Sequence, residues 1–348
     1  MAGTFYPAEP AALRHMVDDL MSQGTQQGQA PIALIVPHAG YVYSGGVAAS
    51  AFKQLEGREY AAIVVLGTNH RAPGFDKISI WPSGAYSTPM GLLRIDESLA
   101  QELFDADPAR IVADSSVQRA EHSIEVKLPF LYRLFGSKPF VPVKIGEPSW
   151  ENCIALSTAL VRVLKGRRGV IIGSTDLSHY PPYELAVSVY TCSMLAMSSL
   201  DPQAVMASTA FWMGRAGEGL TCTMCGEGPV LTTLMAAQGL GADRAAVLHY
   251  ANSGDVSFRD RTGVVGYAAL MLWRGEELVP GSAHEELLRI AREALHAHGE
   301  GQPAAELVGV PPVLQQPKGA FVTLARGGEL RGCIGNIWGT EPLARTVQ

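Results

Sequence analysis

The sequence predicts an α/β protein: a mixed, largely parallel sheet with flanking helices, plus a partial α+β domain at the C-terminal end. Three observations carry this. Short Val- and Ile-rich runs, each closed by turn residues, alternate with stretches of helical apolar spacing. The clearest of those runs are continuously apolar rather than alternating, as strands buried on both faces are. A polar stretch containing Pro280 and Gly281 then sets residues 1–273 apart from a tail of different pattern.

In chain order, Pro10 opens a helix over Ala11–Met21, and Ile32–Val36 and Ala61–Leu66 are strands. Asp96 precedes a helix over Glu97–Phe104, and the apolar residues of Val126–Phe135 predict another. Phe140–Val143 and Gly169–Ile172 are strands on either side of a helix over Ser149–Val163. Helices over Glu184–Met197 and Pro229–Ala237 lead to strands at Ala246–Leu248 and Val264–Leu272. The linker is expected at about 274–282. Behind it Ser282 and Glu285 form a capping box, Leu287, Leu288, Ala291 and Leu295 an apolar helix face, and Gly299 a stop. GAFVTL then reads as a strand and LRGCIGN as a glycine-punctuated turn. Residues 274–348 are few for an independent domain.

Composition limits the function classes. The chain has 348 residues, is 47% apolar and 17% charged, and carries a net charge of −6. That is ample material for a core and excludes a disordered chain. The acidic balance argues against a dedicated binder of nucleic acid or anionic membrane. The longest nearly apolar stretch, Gly263–Trp273, is too short to span a bilayer, and MAGTFYPAEP has no secretory pattern. Five widely spaced cysteines suit a reducing compartment better than a disulfide framework. A cytoplasmic protein is expected.

Three of the strands run into polar loops that carry histidine. IALIVPHAGYVYSGG supplies His38, AAIVVLGTNHR supplies His70, and GVIIGSTDLSHY supplies Asp176 and His179. In an open α/β sheet the ligand site lies beyond the carboxyl ends of the strands, so one parallel sheet would bring these four side chains to one edge. Cys225, in TCTMCGEGPVLTTL, precedes a turn that opens a helix, where the dipole and free N–H groups favour a thiolate. A thiolate with two neutral imidazoles suits iron, copper or zinc. Cys225 is equally read as a buried structural thiol, and the single CxxC made with Cys222 as a weak redox signal. In EHSIEVKLPFLYRLF, His122 and Glu125 would share a helix face, and Glu121 reads first as part of a capped start with a solvated acidic surface. Tyr41, Tyr43 and Tyr180 flank the histidine loops and, with His122, are candidates for a substrate pocket. No Walker A sequence, GxGxxG after a strand, or GxSxG elbow occurs, which disfavours nucleotide-dependent and α/β-hydrolase chemistry.

Taken together, AGTFYPAEP, PHAGYVYSGG, LGTNH, EHSIEVKLPFL, STDLSHY and CGEGPV resemble the Memo family in its own order, from Met1 to about Trp273. The resemblance implies a fold like that of the class III extradiol dioxygenases, with His38, His70 and Cys225 as ligands of one transition metal ion and Asp176 and His179 in the same pocket. Those dioxygenases use two histidines and a carboxylate on Fe(II); a cysteine in the carboxylate's place softens the site. HEELLRIAREAL, GAFVTL, LRGCIGN and PLARTV resemble the first part of the AMMECR family, so the tail is expected to be truncated. The pairing of the two families implies a radical-SAM protein as partner, in the AmmeMemoRadiSam system.

The leading expectation is therefore a metal-dependent, dioxygenase-like oxidoreductase acting on an unidentified small molecule or peptide. Fe(II) is its expected ion, with copper or zinc as alternatives; His179 is its acid/base and Asp176 an orienting or substrate-binding group. The alternatives are a non-catalytic module that holds an anionic peptide and a docking subunit for the radical-SAM protein.

Overall fold

The computed structural model describes residues 1–215, 219–256, 260–275, 281–327, 329–336 and 340–348. They fall into two compact units, Met1–Gly275 and a second that begins at Glu276. Most of the expected linker lies outside the described residues, as does the Ser282 side chain on which the capping box depends.

Unit one runs α1 (Pro10–Gln23), β1 (Pro31–Val36), α2 (Tyr41–Phe52), β2 (Ala62–Gly67), β3 (Ile78–Ile80), β4 (Ala85–Thr88), β5 (Gly91–Arg94) and α3 (Glu97–Ala106). It continues with β6 (Ile111–Val112), α4 (His122–Glu125), α5 (Leu128–Phe135), β7 (Val141–Ile145), α6 (Trp150–Leu164) and β8 (Gly169–Ser174). It ends with α7 (Tyr183–Ser198), α8 (Pro202–Arg215), α9 (Glu227–Gly239), β9 (Arg244–Asn252), α10 (Ser253–Val256) and β10 (Gly266–Trp273).

Eight strands form one sheet in the order β6-β3-β7-β2-β8-β1-β10-β9. Its centre, β7-β2-β8-β1, is parallel, with Val64 opposite Ile171 and Leu34 opposite Ile172. β10 and β9 continue it antiparallel, and β3 joins β7 antiparallel. The mixed, largely parallel sheet is thus as expected. Every residue of β2 and β7 is buried, which is why their sequences carry no period-two alternation. Helices α1, α2 and α5 pack with one another, α3 and α9 each pack on α6, and both groups flank the sheet. Side-chain caps start several helices: Asp96 accepts from Leu99 N at 3.1 Å and Ser149 from Asn152 N at 3.2 Å. No helix among the described residues is long and apolar enough to cross a membrane.

The helix expected over Val126–Phe135 is α5, which starts two residues late at Leu128 and is separate from the short α4 before it. Pro129 stands in the first turn of α5. Its ring cannot follow the carbonyl of residue 125 in a continuous helix, so the chain breaks at Val126–Lys127. Helices α2 and α8 and strands β3–β6 carry no clear pattern in the sequence. α2 contains Gly45 and Gly46 and is buried along much of its length, and the four strands have two to four residues each.

Unit two holds α11 (Gly281–Gly299), β11 (Ala320–Arg326), β12 (Glu329–Asn336) and α12 (Leu343–Val347). β11 and β12 pair antiparallel, so LRGCIGN is a strand rather than the turn its glycines suggest.

Candidate metal centre

β2, β8 and β1 are adjacent and parallel, so the loops that leave them emerge at one edge of the sheet. His38 follows β1, His70 follows β2, and Asp176 and His179 follow β8. Cys225 comes to the same edge from the turn before α9, whose N-cap is Gly226. Two glycines let the chain close in there. A Cβ on Gly226 would lie 2.2 Å from the Ser174 carbonyl oxygen, so only glycine lets this turn rest on the end of β8. A Cβ on Gly67 would lie 2.5 Å from Ile124, so the end of β2 accepts α4 only with glycine.

One donor atom each from His38, His70 and Cys225 lies within 4.8 Å of the others, and the same holds for Asp176, His179 and Cys225. His38 Nε2 is 3.2 Å from Cys225 Sγ. The ring centroids of His38 and His70 are 5.1 Å apart. The sequence separates these residues widely; topology unites them.

Each candidate imidazole ligand is held from behind. His38 Nδ1 is 2.9 Å from Ser174 Oγ, and the His38 backbone N–H donates to Asp176 Oδ1 at 2.7 Å. His70 Nδ1 is 2.8 Å from Glu121 Oε1, and its backbone N–H donates to Glu121 Oε2 at 2.9 Å. With Nδ1 engaged, Nε2 is the nitrogen left to face a ligand, the usual arrangement behind a metal-bound histidine.

Burial favours the neutral forms of two of the donors, His38 and Cys225. Burial drives the His38 pKa well below that of a free imidazole, and nearby Lys127 pushes it the same way. Burial raises Cys225 well above an ordinary thiol, reinforced by Asp176. This corrects the expectation of a thiolate favoured by the helix N-terminus: burial outweighs the dipole, and a coordinated cation would be the group that deprotonates the sulfur. Burial pushes Asp176 up and Lys127 down, while the attraction between them opposes both shifts. Lys127 Nζ donates to the Pro37 carbonyl at 2.5 Å. Burial also pushes the Glu121 carboxyl up, but hydrogen bonds from the His70 ring and backbone and from Ser123 N outweigh it and hold its pKa at about 2.

The other expected pocket residues divide. His122 joins the cluster: its ring stacks on Phe5 at 4.7 Å and on His70 at 4.6 Å. Burial, then His70, lowers its pKa to about 4, and its Nδ1 is buried without a hydrogen-bond partner. His179 is near Cys225, with a pKa lowered by burial and a buried, unpartnered Nε2. Tyr180 edges against His179 at 5.9 Å, is 61% exposed, and adopts φ 65°. That left-handed conformation costs a non-glycine residue about 1–2 kcal/mol. Tyr43 is exposed on α2. Tyr41 is not a pocket wall: its buried ring packs on Phe130, and its hydroxyl donates to the Val126 carbonyl at 2.7 Å. Asp176 does not orient His179 by hydrogen bonding; its carboxylate takes the backbone N–H groups of His38 and Ala39.

Glu121 is not part of a solvated face. It is 1% exposed, caps α4 through Ser123 N at 3.0 Å, and grips His70. Buried Lys144 Nζ stands 3.7 Å from its Oε2. Ser174, Lys127 and Lys144 were not singled out in the sequence. The two lysines do leave a trace there, as lone charges inside the apolar runs VKLPFL and VPVKI.

The donor set fits a transition metal: two imidazoles with Nδ1 engaged and a thiol that becomes a ligand on losing its proton. Ligands ~2.1 Å and ~2.3 Å from one ion stand ~3.1–3.7 Å apart, and the Sγ to Nε2 spacing of 3.2 Å falls in that range.

Comparison with known proteins gives the lineage. The Memo-like protein family profile matches residues 1–271, and the AMMECR1 profile matches residues 288–348. A MEMO1 family protein of Ignicoccus hospitalis is 33% identical over 78% of this chain and 96% of its own. One from Methanopyrus kandleri is 35% identical over 79% of this chain and 98% of its own. Among solved structures, an uncharacterized protein from Escherichia coli K12 aligns with a TM-score of 0.48 at 16% identity, covering 68% of this chain and 98% of that one. With most of its length matched by the family profile, and relatives matched along nearly their full length, the chain belongs to the Memo-like family and carries an AMMECR1 match behind that domain.

Proposed function

We propose that His38, His70 and Cys225 hold one transition metal ion, Fe(II) or a related ion such as copper or zinc, and that the protein uses it in redox or oxygenase-type chemistry. The observation that supports this most is the approach of the three donor atoms to within 4.8 Å of one another. A bound transition ion with an open position supplies Lewis-acid or electron-transfer chemistry. The chain's own residues supply the rest. Ser174 and Glu121 fix the two imidazoles, and Asp176 fixes the backbone that carries His38. His179, whose ring lies in the Cys225 cluster and whose Nε2 has no partner, accepts a proton from a substrate group that enters there. His122, stacked on Phe5 and beside the His38 and His70 rings, offers a flat wall. The substrate is a small molecule or peptide, and the family pairing makes a radical-SAM protein the proposed partner.

The test is anaerobic purification with elemental analysis of wild type and Cys225→Ser. The reading expects about one equivalent of a transition metal in wild type and a clear loss in the variant. Equal metal content in both would sink it. Stoichiometric metal with no turnover, alongside peptide binding that survives chelation, would instead favour the non-catalytic module.

A further inference from the structure

We infer that Glu121, with Lys144 as its buried counter-ion, is a positioning residue that sets the tautomer of His70 and thereby decides whether the ion binds. The inference rests on the metal-centre reading and adds a residue to it. Both carboxylate oxygens are committed to one amino acid: Oε1 to the His70 ring at 2.8 Å and Oε2 to the His70 backbone N–H at 2.9 Å. Oε1 also accepts from Ser123 N at 3.0 Å. His122 Nδ1 is 3.5 Å from the same oxygen and makes no hydrogen bond, so the carboxylate holds one ring of the stacked pair and leaves the other free.

The charge is prepared for this task. Glu121 and Lys144 both have fully buried side chains, 3.7 Å apart. Lys144 Nζ is itself tethered to the Val117 carbonyl at 2.6 Å. A carboxylate is acceptor-only, so a ring nitrogen 2.8 Å from it must carry the proton. A neutral His70 is therefore the Nδ1–H tautomer, with the Nε2 lone pair left for the ion.

Glutamine cannot reproduce this. An amide NH2 at the Oε1 position would oppose the Ser123 N–H and donate to His70 Nδ1, which moves the ring proton to Nε2 and blocks the ligand atom. At the Oε2 position it would oppose the His70 backbone N–H and Lys144. The second orientation would keep the Nδ1 proton but sets the amide against two donors, one of them the Lys144 ammonium, so the first, with one clash, is favoured.

The experiment uses the full chain, stripped of metal, with Co(II) alone as the probe. Affinity is measured by chelator competition, and the His70 tautomer is read from imidazole 15N shifts in wild type, Glu121→Gln and His70→Ala. Expected are a His70 Nδ1–H ring in wild type, a shift toward Nε2–H in Glu121→Gln, and Co(II) affinity about 10- to 100-fold lower in that variant. A merely structural role would leave the tautomer unmoved. If the single variant does not fold because Lys144 is stranded, Glu121→Leu/Lys144→Met removes both charges and the acceptor that holds the Nδ1 proton, and the same fall in Co(II) affinity is expected. Wild-type affinity and tautomer in the folded glutamine variant, with His70→Ala impaired, overturn this inference alone. Equal Co(II) binding by wild type and His70→Ala overturns the metal centre, and this inference with it.

Discussion

At the scale of single residues, the geometry separates side chains placed so that they would hold an ion from those that stand beside them. His38 and His70 have Nδ1 engaged from behind and turn Nε2 forward; His179 has no partner at its buried Nε2. His38→Ala and His70→Ala are therefore expected to lose the metal, whereas His179→Ala retains about the wild-type amount and loses turnover. Elemental analysis of the three variants checks this, and a metal-free His179→Ala would reassign that residue as a ligand. His38, His70, Asp176 and His179 were legible in the sequence because position after a buried strand is a one-dimensional signal. Cys225 was legible as a cysteine before a helix-opening turn, but its protonation was not, because burial is a property of the assembled fold. Glu121 was misread for the same reason: an acidic residue at a helix start is usually solvated, and only the packing of α4 against β2 buries it.

At the scale of elements, the centre depends on how closely the α9 turn sits on β8. Cys225 N donates to the Asp176 carbonyl at 3.2 Å, and Gly226 N donates to Thr175 Oγ1 at 2.9 Å, so the segment is stitched to the strand's exit. Gly226→Ala would place a methyl group 2.2 Å from the Ser174 oxygen. The turn must then lift, and Cys225 moves with it. The expected outcome is a loss of about 1–3 kcal/mol of stability in urea unfolding, accompanied by weakened metal retention. Unchanged values in both measurements would show that the turn yields without moving the sulfur. The long, apolar elements were readable to within a few residues: β1 begins one residue before its expected start, and α6 occupies nearly the span its apolar spacing marks. α2 was not, because its glycines and aromatic residues lower helix propensity and its formation rests on packing against β9 and β10.

At the scale of the whole molecule, the two units differ in what holds them together. Unit one buries its central strands on both faces, and its single core cluster draws on residues from Tyr6 to Leu272. The core cluster of unit two consists, among the described residues, of Ala283, Ile290, Val310, Leu314, Leu343 and Ala344, several of them small. Among the described residues, its β11–β12 pair contributes no fully buried side chain to that cluster and exposes Phe321, Leu324 and Ile334. A two-stranded ribbon that α12 covers only in part is marginal in water, and local opening follows the amount of apolar surface buried beneath a segment. Amide exchange should therefore be uneven. The amides of β1, β2 and β8 should exchange only through global opening of unit one, while those of β11 and β12 exchange at least about a hundred-fold sooner at the same pH and temperature, reflecting a gap of ~2.7 kcal/mol or more in opening free energy. Equal protection in the two sets of strands would mean that the exposed face of β11–β12 is covered in solution, and the light core of unit two would then not set its stability.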